Sequence, residues 1–342
     1  MEHPDLADSR QRESSVAGAP WREPVRGGHP DARLANRPGR EQLEAMLNST
    51  TPRPPISRLT GMQLVEFGAG SAMFTMPVSD WLVGADGTIP LGPLTIPADA
   101  AMACAIMTLL PAGTSLTTSE LGLRQVRAVG PGDIVVARAR TLEAGPAVAL
   151  AEVTLTDDDG TLIAHGGSLC VRLPALTAPP QPGDPTPTPT PNPHPNLSEE
   201  LDPWERPLPA GAGPGAPPPL WQLIGLRELD APHGEAAFAL PATRWLCAPP
   251  PGRVQGGAVA TLADAAITAA IKTVEPSTAR LEAVELKLNY LRPLASDGRD
   301  ARAHGRLIHG GRRTAVASAE VVDADGRMIA VVTGSAVAGS ST

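Results

Sequence analysis

Bulky aromatic residues are scarce in this sequence: 342 residues include one Tyr, three Phe and five Trp. Its interiors must therefore be closed mainly by Ala, Val and Leu, which dominate a hydrophobic fraction of 42%. There are only three cysteines, Cys104, Cys170 and Cys247, widely spaced and odd in number. That count excludes a disulfide framework and the paired spacing of a zinc site, and it fits a reducing cytoplasm. No block of Lys or Arg occurs and the net charge is -8, which argues against nucleic acid, whose binding rests on phosphate neutralisation. The start, Met1-Glu2-His3-Pro4-Asp5, leads into no apolar stretch and has neither signal-peptide nor transit-peptide character. The most apolar run, residues 91–110, carries Asp99, Pro93 and Pro97, and so reads as a buried core helix with no membrane role.

What the chain has instead is proline, 39 residues of it. Residues 174–219 contain alternating Thr-Pro, Asn-Pro and His-Pro pairs, the pattern of an extended, semi-rigid spacer. Residues 1–50 are expected to be a mostly disordered extension, too polar to offset chain entropy, with one short helix near 38–48. A domain at 51–173 and a second at 220–338 remain.

The two domains match segment by segment. Trp81-Leu82-Val83 corresponds to Trp245-Leu246-Cys247, the apolar helix 94–110 to 257–274, and Asp99 to Asp264. Alternating strands follow in each, ending in hairpins at Asp157-Asp158-Asp159-Gly160 and Asp323-Ala324-Asp325-Gly326. Each half thus reads as a strand, one long apolar helix and about four antiparallel strands, an α+β fold in which a sheet wraps a central helix. In the second helix Thr261, Asp264, Thr268 and Lys272 are spaced along one narrow polar stripe. His165, His304 and His309 lack metal-ligand spacing, and Cys247 has no nearby His to activate it.

The run Arg253-Val254-Gln255-Gly256-Gly257 through Asp264, followed by Leu288-Asn289-Tyr290-Leu291-Arg292-Pro293 and His309-Gly310-Gly311-Arg312-Arg313, resembles the PaaI-like branch of the hotdog-fold acyl-CoA thioesterases. The resemblance implies two tandem hotdog domains that hydrolyse an acyl-CoA thioester to free acid and coenzyme A without cofactor or metal. It implies that the Gly256 amide at a helix start polarises the thioester carbonyl, Gly257 beside it, while Asp264 acts as general base or nucleophile, with Thr268 orienting water. Gln255 stands where the family commonly has His, and Arg312 and Arg313 are candidates for the coenzyme A phosphates.

Gly256 and Asp264 are eight residues apart on one helix, roughly 12 Å of rise, so a single carbonyl cannot touch both. Each site must join the helix start of one unit to the carboxylate of the other. One candidate site pairs the Gly256 and Gly257 amides with Asp99, where Ala103 takes the place of the hydroxyl. The other pairs the Leu91 and Gly92 amides with Asp264 and Thr268, behind a helix start expected to be delayed by Pro93 and Pro97. The first is favoured. Intrachain pairing of the halves is expected, with further homo-oligomerisation open. The competing reading is a non-catalytic acyl-CoA or fatty-acyl binding protein. A hydratase of the same fold is disfavoured, since no Gly-Asp-Asn-type segment is present.

Overall fold

The computed structural model describes residues 19–174, 201–209, 216–274 and 281–338. The disorder expected of residues 1–18 and the Thr-Pro spacer fall outside them. In chain order the elements are α1 (Ala32–Ala35), α2 (Gly39–Leu47), α3 (Pro55–Thr60), β1 (Gln63–Gly68), β2 (Ser71–Pro77), α4 (Leu91–Met107), β3 (Thr114–Gln125), β4 (Ile134–Ala144), β5 (Val148–Thr156) and β6 (Leu162–Pro174). The second half follows with α5 (Pro219–Ile224), β7 (Arg227–Leu229), β8 (Glu235–Pro241), α6 (Gly256–Lys272), β9 (Leu281–Tyr290), β10 (Asp300–Gly310), β11 (Thr314–Val322) and β12 (Met328–Ala338). Each half has a two-stranded hairpin before its helix where the alternation predicts a single strand.

The twelve strands of the described residues join one antiparallel sheet in the order β1-β2-β4-β5-β6-β3-β9-β12-β11-β10-β8-β7. Reading outward from the centre, the two halves repeat the same order, as a two-fold axis requires. The seam is β3 against β9, with Leu121 opposite Leu288 and Leu123 opposite Leu286, and Arg124 paired with Glu285 at 2.9 Å. The halves therefore pair within one chain.

The helices α4 and α6 lie between the wings of the sheet and are buried almost all round, as sequences with hardly a polar face require. They cross at glycine. A Cβ on Gly92 would sit 2.7 Å from Thr261 Cα, and one on Gly257 would sit 2.6 Å from Ile96 Cα. These reciprocal contacts make the helices antiparallel and leave no room for a side chain at either glycine. The expected delay of α4 does not occur: the helix begins at Leu91, with Pro93 in its first turn, where the missing N–H costs nothing. Pro97 lies inside the helix and removes one intrahelical bond, which the surrounding packing tolerates.

Residues 19–37 are ordered where disordered chain is expected, α2 falls where the short helix near 38–48 is expected, and residues 201–209, at the end of the Pro-rich stretch, pack on the domains where an extended spacer is expected. Pro20-Trp21-Arg22 and Pro203-Trp204-Glu205 form matching 3-10 turns, and each straps onto the unit that does not follow it. Trp21 packs on Gly225 and Glu23 O accepts from Trp245 Nε1 of the second unit at 3.0 Å. Trp204 packs on Gly61 and Arg206 O accepts from Trp81 Nε1 of the first unit at 2.8 Å. The straps meet where Arg206 pairs with Glu23 at 2.6 Å and the buried Asp202 lies among Arg26, Arg53 and Arg58 at 3.6, 3.6 and 3.2 Å. Anchoring by tryptophan and a satisfied buried charge outweighs the low hydrophobicity of these segments, which composition alone registers as disorder.

Candidate active site

The antiparallel helix pair produces two pseudo-equivalent junctions, each joining the carboxylate of one helix to the start of the other. They are built differently. At the first, Asp99 of α4 faces the start of α6: a Cβ on Gly256 would come within 3.0 Å of Asp99 Oδ2 and 3.2 Å of the Tyr290 hydroxyl. Thr118 of β3 donates to Asp99 Oδ1 at 2.8 Å, and Gln255 Nε2 approaches Oδ2 at 3.3 Å while also donating to Ile96 O at 3.1 Å. The Tyr290 hydroxyl of β9 donates to Gly256 O at 2.9 Å. The first helical bonds of α6 run from Ala258 and Val259 back to Gln255 O. The Gly256 and Gly257 amides therefore precede the ladder, at the positive end of the helix dipole.

Asp99, Gln255, Gly256 and Tyr290 line a cavity of about 580 Å³. Its apolar wall follows one face of α4 through Ala100, Ala103, Cys104 and Met107, and α2 contributes Leu43 and Met46. Arg53, Arg253 and Arg292 also line it. Arg253 is half-buried and pairs with no carboxylate among the described residues. Burial lifts the Asp99 carboxyl to about 6, the Thr118 hydrogen bond pulling the other way. Such a group is still ionised at neutral pH yet basic enough to take a proton from water. Burial, and then the Asp99 charge, push the Tyr290 phenol well above its ordinary value, so it stays a neutral donor.

At the second junction Asp264 is also buried and raised to about 6 by desolvation. Its Oδ2, however, accepts the Gly92 amide at 2.9 Å. The carboxylate thus caps the opposite helix and occupies the place an oxyanion would need. Thr268, one turn further along α6, acts with the Gly92 amide to hold the Asp264 carboxyl down against that burial. Three groups of the first junction have no counterpart here: Ala283 follows Asp264 at the spacing at which Thr118 follows Asp99, Pro90 precedes its helix where Gln255 precedes the other, and Gln125 stands in the position of Tyr290, its amide turned to Arg127 O at 3.0 Å. Neither Gly92 nor Asp264 lines the cavity.

The structure thus brings Asp99, Gln255 and Gly256 together, and gives Gly257 to the helix crossing. Arg312 and Arg313 are exposed at the β10–β11 turn, outside the cavity lining, because that hairpin projects away from the start of α6. Burial raises the thiols of Cys104, to about 12, and Cys170, to about 11, as well as that of Cys247, so none is a thiolate nucleophile at neutral pH. Among the described residues no cluster of His, Cys, Asp and Glu could hold a metal, and no helix is long and apolar enough to cross a membrane. Sequence reasoning missed Thr118, Tyr290, Arg53 and Arg253 as site residues. Tyr290 and Arg253 stood inside quoted motifs, whereas Thr118 precedes the alternating run that marked its strand.

The fold places the chain among double-hotdog proteins. The thioesterase superfamily model matches it twice, over residues 96–164 and 251–330, one stretch in each unit, and both units carry that superfamily's pattern. Solved structures agree in fold. The tesB protein of Mycobacterium avium subsp. paratuberculosis is 14% identical with a TM-score of 0.55 over 83% of this chain and 98% of that one. An acyl-CoA thioesterase II of Mycobacterium marinum is 13% identical with a TM-score of 0.52 over 83% and 98%. A hot dog fold protein of unknown function from Alicyclobacillus acidocaldarius is 15% identical with a TM-score of 0.54 over 85% and 100%. No curated protein matches the sequence.

Proposed function

We propose that the chain hydrolyses an acyl-CoA thioester at the Asp99 junction, and that the Asp264 junction is structural. The observation that carries this reading is the meeting of a buried carboxylate, raised to about 6, with the uncapped start of a helix from the other unit, inside a cavity. The thioester oxygen would accept from the Gly256 amide, in line with the α6 dipole. Asp99 takes a proton from water as the water oxygen attacks the thioester carbon. The tetrahedral intermediate then collapses, the carbon–sulfur bond breaks, and the proton held by Asp99 goes to the departing sulfur, leaving free acid and coenzyme A thiol. Thr118 fixes the carboxylate, and Tyr290 fixes the peptide that follows the Gly256 amide.

Coenzyme A as the carrier is supported by Arg253 and Arg53 on the cavity lining, where guanidinium groups suit phosphate. The double-hotdog relative named as an acyl-CoA thioesterase supports the same choice. Placement in the PaaI-like branch rests on the run from Arg253 to Asp264, and three free thiols suit a reducing cytoplasm. The test is thiol release from short, medium, long and aromatic acyl-CoAs. Release is the expected result. Binding without release from any of them would leave the competing reading, an acyl-CoA binding protein.

A further inference from the structure

The first unit carries an insertion ahead of its α3. Each unit begins with a Pro-Trp strap and a Pro-Pro helix, Pro54-Pro55 in α3 and Pro218-Pro219 in α5. Between strap and helix the first unit has residues 25–53, with α1 and α2, whereas the second has only the short stretch after Pro207. The extra residues sit on the end of α4. Gly39 N donates to Leu110 O at 3.2 Å, and Gly113 N donates to Asn36 O at 3.2 Å. This seating closes the C-terminal end of the α4 groove and lays Leu43 and Met46 along the cavity that begins at Asp99.

We propose that this insertion is the wall of an acyl chamber that selects straight aliphatic acyl groups of medium length. The inference rests on the hydrolase reading of the Asp99 site and adds a substrate class to it. The groove residues Ala103, Cys104 and Met107 follow Asp99 along one helix face, roughly 12 Å from first to last. An extended alkyl chain advances about 1.3 Å per carbon, given C–C bonds of about 1.5 Å, so the groove holds roughly eight to ten carbons before α2 blocks it. Along α4 and α2 the lining is apolar, and the thioethers of Met46 and Met107 can adapt to a flexible chain. A single aromatic ring would fill only the part beside Ala103 and leave the far end empty.

The experiment uses S-alkyl-CoA thioethers from S-ethyl to S-hexadecyl, which bind without being hydrolysed, alongside the matching thioesters and phenylacetyl-CoA. The full chain is titrated as wild type, Met46→Trp and Met46→Ala, each checked by circular dichroism. S-octyl or S-decyl should bind at least ten-fold tighter than S-ethyl and S-hexadecyl. Met46→Trp should lose at least ten-fold more affinity for S-decyl than for S-ethyl, and Met46→Ala should move the optimum to longer chains. Affinity independent of chain length, an equal loss for all lengths in Met46→Trp, or an unmoved optimum in Met46→Ala would overturn the proposal, as would an aromatic thioester preferred over octanoyl-CoA. If the thioethers obey the length rule and no thioester is cleaved, the chamber stands and the hydrolase reading falls. Cleavage without length dependence has the opposite meaning.

Discussion

The Gly92 amide donates a 2.9 Å hydrogen bond to the Asp264 carboxylate across the pseudo-two-fold axis. Asp99, at the two-fold related position, takes its hydrogen bonds from the Thr118 hydroxyl and the Gln255 side-chain amide, and lines the cavity. One carboxylate has become a helix cap, and the other is left available for chemistry.

A cap does not require charge. The Asp264 carboxyl holds its proton to about pH 6 when folded, against 3.8 as a model group. The ionised form therefore costs the folded state up to roughly 3 kcal/mol. Asp264→Asn keeps an acceptor for Gly92 and should be more stable than wild type by up to that amount above pH 7. The gain should shrink through the window from about 6 to about 4 and vanish below it. Urea denaturation across pH measures it, and a pH-independent difference would contradict the raised Asp264 carboxyl.

Activity should fall as Asp99 is protonated. With its carboxyl at about 6, kcat/KM is expected to drop about ten-fold per pH unit below that value and to level off above pH 7. Thr118→Val removes a hydrogen bond that favours the ionised form, so the acid limb should move to higher pH. A limb that stays in place would remove Thr118 from the account.

Adjacent glycines should respond differently. Gly257→Ala and Gly92→Ala each drive a Cβ into the facing helix backbone, and a loss of stability of about 1–3 kcal/mol is expected from each. Gly256→Ala points instead at Asp99 and Tyr290. Its effect should appear as a fall in kcat of ten-fold or more with little change in the denaturation midpoint.

The strap cluster sets a further expectation. Asp202→Ala removes the carboxylate shared by Arg26, Arg53 and Arg58 and leaves the buried Arg26 with Glu23 as a more weakly acting charge, and should destabilise the protein by up to about 3–5 kcal/mol. Denaturant titration of the full chain checks it.

Much of this fold could be read in advance because its elements are locally consistent. The alternating runs, the Asp-Gly hairpins and the two apolar helices each announce themselves, and the eight-residue separation of Gly256 and Asp264 on one helix shows that the sites must be shared between units. What stayed hidden depends on tertiary placement. The straps read as disordered chain in one case and extended spacer in the other, because their stability comes from Trp21, Trp204 and a buried Asp202, and composition weighs none of these by position. Thr118 was missed because β3 starts earlier than its alternation, and only the fold carries its hydroxyl to Asp99. The inequivalence of the sites was partly legible in Pro90 against Gln255 and in Ala103 against Thr268, but the helix delay expected from Pro93 does not occur, and the Gly92–Asp264 bond that decides the matter was not legible.

The central claim is that one junction works and the other holds the helices together. The most direct test is coenzyme A thiol release from decanoyl-CoA by wild type, Asp99→Asn and Asp264→Asn at pH 7.5, with folding confirmed for each. The account predicts that Asp99→Asn loses at least a thousand-fold in kcat, while Asp264→Asn stays within a few-fold of wild type. Loss in Asp264→Asn with Asp99→Asn still active would contradict it.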